Sequence, residues 1–279
     1  MLILGIETSC DDTAAAIIEY TNTSFVVRAN ILSSQVAKHA PYGGVVPSIA
    51  AREHIVALPF VIRQAMVTAK IKHQDITRIA VTSGPGLISS LLVGTSFANT
   101  LAWRWQVPIL GINHIEGHIM SAWLQPPNEA VTIETISAAM PAVALIVSGG
   151  HTELIHMSKL GNYSCIGKTI DDAAGEAFDK IARILGLAYP GGPAIAATAL
   201  KATGLITITL PRPMRHSQTY NFSFSGLKTA VLYAVRDLLA NGKTLEEIAP
   251  DVAREAQQAI VDVLAEKTKK ALQEYRPKT

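Results

Sequence analysis

Residues 112–120, INHIEGHIM, place His114 and His118 four positions apart. On a helix that spacing sets both imidazoles on one face, within reach of a single ion, and neutral imidazole suits Zn(II) or Fe(II). A protease helix of the HExxH type needs its glutamate directly after the first histidine, where it polarises metal-bound water. Ile115 holds that place. Glu116 lies about 200 degrees round the helix from either histidine and points away from the ion. The protease reading therefore fails on geometry. Two ligands do not close a site, so a third must come from elsewhere, and Asp11 and Asp12 in the first polar turn are candidate nearby carboxylates. The competing reading is a structural pair of histidines at the start of a helix. His39, His54, His73, His151, His156 and His216 are scattered. Each is expected to be structural or solvent-facing, with His151 set apart by its neighbours.

Those neighbours form VSGGHT at 147–152, where an apolar run meets Ser148, Gly149 and Gly150. Two glycines let backbone amides turn outward and approach a phosphate, although a tight hairpin uses the same residues. ETSCDDT at 7–13 offers hydroxyls at Thr8, Ser9 and Thr13 and carboxylates at Glu7, Asp11 and Asp12. That set suits magnesium–phosphate chemistry and equally an ordinary polar turn. TSGPG at 82–86 feeds a helix whose N-terminus can hold an anion. No GxxxxGK[ST] loop and no GxGxxG after a strand is present, which disfavours P-loop and dinucleotide classes.

Asp172, Glu176 and Asp179 fall near one helical face, and the first two repel unless Lys180, a cation or water neutralises them. Asp171 and Glu176 read as a solvated acidic face. Asp179, followed by YPGGP at 189–193, suits contact with ribose or acyl hydroxyls. NFSFSGLKT at 221–229 fits either a mobile ligand-gripping loop or a packed surface loop.

The elements that must position these groups alternate. LILGI at 2–6 and TAAAII at 13–18 are strand-like runs around a polar turn, and a further strand lies near 24–33. Residues 50–69 have helical periodicity, with Pro59 expected to bend or divide the helix. Strands near 79–84 and 107–113 flank an apolar helix after GPG. Residues 125–141 read as a connection or small insertion, with the lobe boundary near 110. AVALIVSGGHTELIHM then repeats the strand–turn–strand design of the N-terminus. NYSCIGKTI gives another strand, 171–186 a helix, 188–225 a stretch rich in Pro, Gly, Ser and aromatic residues, 226–240 a helix, and the segment from Asp251 a last helix. Strands interleaved with helices indicate an α/β layer architecture.

The chain has 279 residues, near the size where one core gives way to two. Its 24 basic and 22 acidic residues leave a net charge of +2. That is too balanced to hold a nucleic-acid duplex by phosphate neutralisation alone. Cys10 and Cys165 form neither a disulfide framework nor a CxxC pair. No window reads as an apolar membrane span, and MLILGIE enters a strand without a basic leader. A cytoplasmic protein with no membrane partner is the expectation.

Taken together, GIETSCDDT, YGGVVPSIAAREH, VTSGPGLISSLLVG, INHIEGH, LIVSGGHTELI, DDAAGEAFDKIARILGLAYPGGP and FSFSGLKTAV closely resemble the bacterial TsaD family. The resemblance covers essentially the whole chain. It implies a bilobal actin-like/Hsp70-like ATPase fold of two ribonuclease-H-like lobes, here 1–110 and 111–279. The second lobe is expected to be incomplete at its C-terminus, because the family continues with a strand, a glycine-rich nucleotide loop and an aspartate that ligates the metal. It implies transfer of the threonylcarbamoyl group from threonylcarbamoyl-AMP to N6 of adenosine 37 in tRNAs that read ANN codons. His114 and His118 would bind Fe(II) or Zn(II), and Asp11 would take part in the chemistry. Ser9, Ile146, Val147, Ser148, Gly149, Gly150, Asp179 and Gly192 would contact the nucleotide or acyl-adenylate, with Mg-nucleotide as a further cofactor. TsaB, as a heterodimer partner, and TsaE are the implied protein partners. A catalytically weak scaffold that pairs with TsaB is the alternative, and a sugar- or acyl-kinase on the same fold is a further one.

Overall fold

The computed structural model describes residues 1–279, which divide into two compact units, Met1–Ala138 and Ala139–Thr279. The first unit is built on a six-stranded sheet. Its strands are β1 (Leu2–Glu7), β2 (Asp12–Tyr20), β3 (Ser24–Ser34), β4 (Ile76–Gly84), β5 (Ile109–Asn113) and β6 (Ala130–Thr132), in the order β5-β4-β1-β2-β3-β6. β1 pairs antiparallel with β2, as the two apolar runs around ETSCDD imply, and parallel with β4. β4 in turn pairs parallel with β5. Alternate residues Leu4 and Ile6 of β1, Ala15 and Ile17 of β2, and Ile79 and Val81 of β4 point to one buried face.

That face is covered by two helices of a set that comprises α1 (Val36–His39), α2 (Pro47–Ala69), α3 (Ile88–Trp105), α4 (His114–Ser121) and α5 (Ile133–Ala138). Leu58, Val61, Ile62 and Ala65 of α2 and Ala98 and Ala102 of α3 close the core. Full burial of each large aliphatic side chain contributes roughly 1.5–3 kcal/mol. α2 runs unbroken through Pro59, where division was expected. Pro59 and Ile55 both lie on the exposed side of α2, so the Ile55 carbonyl that loses its helical partner is left facing water.

Residues 125–141, expected as a connection, contain β6 and α5. β6 pairs antiparallel with β3 through Ser24–Thr132, Phe25–Val131 and Val26–Ala130. This pairing carries the division between units to 138/139, later than the expected 110/111, and places α4 with its histidines in the first unit.

The second unit has a three-stranded antiparallel sheet of β7 (Ala142–Val147), β8 (Thr152–Lys159) and β9 (Asn162–Lys168). Four helices accompany it: α6 (Ala174–Ile184), α7 (Gly191–Ala199), α8 (Ser225–Ala240) and α9 (Leu245–Tyr275). α9 begins six residues before the sequence pattern suggested. Thr244 Oγ1 accepts from Glu247 N at 3.3 Å while Glu247 Oε2 accepts from Thr244 N at 2.7 Å, a reciprocal cap that starts the helix ahead of Pro250. α7 lies inside the Pro- and Gly-rich stretch 188–225, to which the sequence pattern assigns no element, because PAIAATA carries a short apolar helix behind its glycine–proline start. Leu154, Ile181, Ile195, Phe222, Phe224, Val231, Val252 and Ile260 are fully buried together in the core of this unit. Phe222 and Phe224 fix FSFSG as a packed segment rather than a mobile grip. No helix is long and apolar enough to cross a membrane.

Candidate functional site

The histidine pair spans the two turns of α4, His114 opening the first and His118 lying in the second, directly after the parallel strand β5. Asn113 caps that turn, its Oδ1 accepting from Ile115 N at 2.8 Å and Glu116 N at 3.2 Å. Ile115 and Ile119 bury one face of the helix and so fix its rotation. His114 and His118 then occupy a neighbouring stripe, with their Nε2 atoms 3.0 Å apart and ring centroids 4.4 Å apart. Two nitrogens at metal-bonding distances of about 2.0–2.1 Å and this separation subtend roughly 90–100 degrees at a shared ion. The pair therefore fits as two donors to one metal. The residues do not assemble three His, Cys, Asp or Glu groups around a common point, so Asp11 and Asp12 do not complete the set.

The other nitrogen of His114 turns inward. Its Nδ1 lies 3.1 Å from Glu7 Oε2 and 3.1 Å from Ser9 Oγ. Thr82 Oγ1 donates to Glu7 Oε2 at 2.6 Å, and Ser9 N donates to Glu7 Oε1. Burial pushes the Glu7 carboxyl up, but the donors from His114, Thr82 and Ser9 outweigh it and hold the group down to about 2. Glu7 closes β1, Thr82 lies near the end of β4 and His114 follows β5. The order β5-β4-β1 brings the three strand ends side by side.

The turn that carries Asp11 is held from below. His54, fully buried on α2, accepts from Thr13 Oγ1 at Nδ1 (2.7 Å) and donates from Nε2 to the Cys10 carbonyl (3.0 Å). Gln35 N donates to the Asp11 carbonyl at 3.1 Å, and His39 Nε2 lies 3.1 Å from Gln35 Oε1. His39 and His54 are thus structural, as expected of them. Partial burial of the sulfur, with Asp11 and Asp12 beside it, pushes the Cys10 thiol up to about 12, which disfavours the thiolate at neutral pH. α3 approaches so closely that a Cβ at Gly94 would meet Thr8 Oγ1 at 2.1 Å, and Leu87 N donates to the Ser9 carbonyl at 2.7 Å. TSGPG packs on the same turn, where a Cβ at Gly86 would meet the Ser9 carbonyl at 2.6 Å, and Thr82 is spent on Glu7.

In the second unit, the β7–β8 turn holds Ser148, Gly149 and Gly150, with Ile146 and Val147 ending β7. Ser148 Oγ accepts from His151 N at 3.0 Å and Gly150 N at 3.3 Å, and Ser148 O accepts from Gly175 N at 3.1 Å. The start of α6 is thereby pressed against the turn. Neither Gly149 nor Gly150 has a left-handed φ, and a Cβ at either would meet nothing within 4 Å. The hairpin itself does not require them, which removes the local explanation for two successive glycines.

Asp179 on α6 accepts from Gly191 N at 2.7 Å and so caps α7, with Gly192 open to solvent beside it. Lys180 joins Asp172 at 2.7 Å and Glu176 at 2.9 Å, which neutralises the repelling pair. Asp171 is exposed, as expected, but its carboxylate is committed. Its carboxylate accepts from Phe224 N at 2.8 Å, Ser225 Oγ at 2.8 Å and Ser223 Oγ at 2.5 Å, pinning FSFSG. Burial alone pushes the Asp171 carboxyl up, and these donors bring it below its ordinary value.

A family model described as "TsaD: tRNA N6-adenosine threonylcarbamoyltransferase" matches residues 26–279. The protein of that name from Thermosipho melanesiensis is 47% identical over 279 residues, covering 100% of this chain and 79% of the relative. The Bacillus subtilis protein of the same name is 46% identical over 276 residues, covering 99% of this chain and 75% of the relative. The chain belongs to the TsaD family. Among solved structures, an Aquifex aeolicus PPX-GPPA enzyme matches at 9% identity over 96% of this chain and 93% of that chain, with a TM-score of 0.40. Against the TsaD resemblance, the residue that sequence reasoning left in the background is Glu7. Its signal was a carboxylate at a strand end, beside two hydroxyl residues, with its partner far along the chain.

Proposed function

We propose that this TsaD-family chain transfers the threonylcarbamoyl group from threonylcarbamoyl-AMP to N6 of adenosine 37 in tRNA. Family membership over residues 26–279 carries the reaction class. The two Nε2 atoms of His114 and His118, 3.0 Å apart on successive turns of α4, are the observation that favours a metal-assisted version of it. In this reading His114 and His118 hold Fe(II) or Zn(II). When bound, the metal supplies Lewis-acid polarisation of the carbamoyl oxygen and a template for the acyl-adenylate.

The remaining work falls to the chain. The N6 amine attacks the carbamoyl carbon, the new N–C bond forms, the C–O bond to the phosphate breaks and AMP leaves. Asp11 accepts the amine proton or orients the amine, a contribution of about 10²–10⁴-fold. Ser9 stands beside His114, in line with a role at the acyl-adenylate. In the second unit the Ser148–Gly150 turn, at the end of Ile146 and Val147, holds phosphate through the Gly149 amide, with Mg²⁺ as counter-ion. The Ser148 and Gly150 amides join it once they leave their present acceptors, the His151 carbonyl and Ser148 Oγ. The open backbone at both glycines supports close approach of such a group. Asp179 and Gly192 contact ribose or acyl hydroxyls at the start of α7. TsaB and TsaE are the proposed protein partners, and the cytoplasm the proposed compartment. Transfer of labelled threonylcarbamoyl to tRNA, with TsaB and TsaE present, tests the assignment. Product forms with the parent chain and falls by at least about 10²-fold in His114→Ala. Undiminished product in that variant would remove the metal from the mechanism.

A further inference from the structure

Four donors or acceptors meet around one carboxylate and one imidazole in the first unit. Glu7 Oε1 receives the Ser9 amide, while Oε2 receives the Thr82 hydroxyl at 2.6 Å and lies 3.1 Å from His114 Nδ1. An ionised carboxylate can only accept, so the proton of the third contact must sit on His114 Nδ1. Ser9 Oγ, also 3.1 Å from Nδ1, can then accept from the same N–H. Neutral imidazole carries one ring proton. With it on Nδ1, Nε2 is left as a lone pair, aimed at the place where His118 Nε2 also points, 3.0 Å away.

We propose that Glu7 is the positioning residue that fixes the His114 tautomer and ring orientation, so that Nε2 is always presented as a donor. The assignment rests on the reading of His114 and His118 as a metal pair, and it adds the carboxylate that makes the first of them competent. Thr82 and the Ser9 amide are the struts that hold Glu7 itself. The strand order explains why the carboxylate sits at position 7. β1 lies beside β4, which carries Thr82, and β4 lies beside β5, which delivers His114. Carboxylates in this relation to a ligating histidine set its tautomer and raise its basicity, and their loss lowers metal affinity by about 10–100-fold.

Glu7→Gln is the decisive variant because it keeps size and shape while offering an amide N–H to Nδ1. That donor favours the opposite tautomer, with the proton on Nε2. Long-range ¹H–¹⁵N spectra of histidine-labelled full chain, without metal and at neutral pH, read the tautomer directly. The parent chain is expected to show His114 protonated at Nδ1, and Glu7→Gln to shift it toward Nε2. Competition of Zn(II) against a chromophoric chelator is expected to show a loss of about 10–100-fold in the variant. A parent His114 protonated at Nε2 overturns the proposal even if the variant does not fold. So does a folded Glu7→Gln whose tautomer is unchanged. A tautomer shift on Glu7→Gln, with a parent chain that binds no Zn(II), supports Glu7 as the positioning group and overturns the metal reading alone.

Discussion

His54 shows how one buried ring can hold a surface turn from beneath. Its two nitrogens are both spent, one accepting from Thr13 and one donating to the Cys10 carbonyl next to Asp11. Burial holds the imidazole below its ordinary value of 6.5, against the opposite pull of the Cys10 carbonyl and of Glu7, Asp11 and Asp12. A histidine whose folded value is depressed binds its proton more readily in the unfolded chain. Its stabilising contribution is complete above about pH 6.5 and declines as pH falls toward the folded value. Urea unfolding at pH 7.5 and pH 5.5 should therefore show a stability loss in the parent chain that is smaller in His54→Gln. An equal pH dependence in both would remove His54 as the source. At this scale the His114/His118 pair is legible in sequence because a spacing of four is a local helical fact. The Glu7–His114 contact spans 107 positions and exists only because three strand ends meet, so no local pattern announces it.

Strands and helices here are read from sequence where one rule dominates and missed where two compete. The hairpins β1–β2 and β7–β8 follow from apolar runs on either side of a polar turn. α7 was hidden because its glycine–proline start looks like a loop, although proline is favoured in a first helical turn. The contact between the β7–β8 turn and the start of α6 offers a comparison between two glycines, one on each side, with different room for a side chain. A Cβ at Gly175 would meet Ser148 O at 2.6 Å and Gly149 Cα at 2.9 Å, both rigid backbone, whereas one at Gly149 meets nothing. Gly175→Ala should lower stability by about 1–3 kcal/mol by forcing α6 away from the turn. Gly149→Ala should leave the unfolding midpoint nearly unchanged and weaken nucleotide binding, measured by calorimetry with ATP. Tight ATP binding by folded Gly149→Ala would show that the open glycine backbone is not the phosphate seat.

Two separate cores carry the whole molecule. Ile79 belongs to the core of the first unit, under β1, β2, α2 and α3, and Ile181 to that of the second, beneath α6, α8 and α9. Both are fully buried, so truncation to alanine should cost about 2–5 kcal/mol in either case. The sites differ in what else they hold. The first unit carries the Glu7–His114–His118 set and the Asp11 turn, and the second carries the Ser148–Gly150 turn and Asp179. If each core stabilises its own unit, amide exchange should rise selectively. Ile79→Ala should deprotect β1, β4 and α3 and weaken Zn(II) retention, with protection of β8 and α9 preserved. Ile181→Ala should deprotect α6 and α8 and weaken nucleotide binding, with Zn(II) retained. Exchange that rises uniformly through all 279 residues in both variants would instead mean a single cooperative unit, in which the proposed metal and nucleotide sites are lost together.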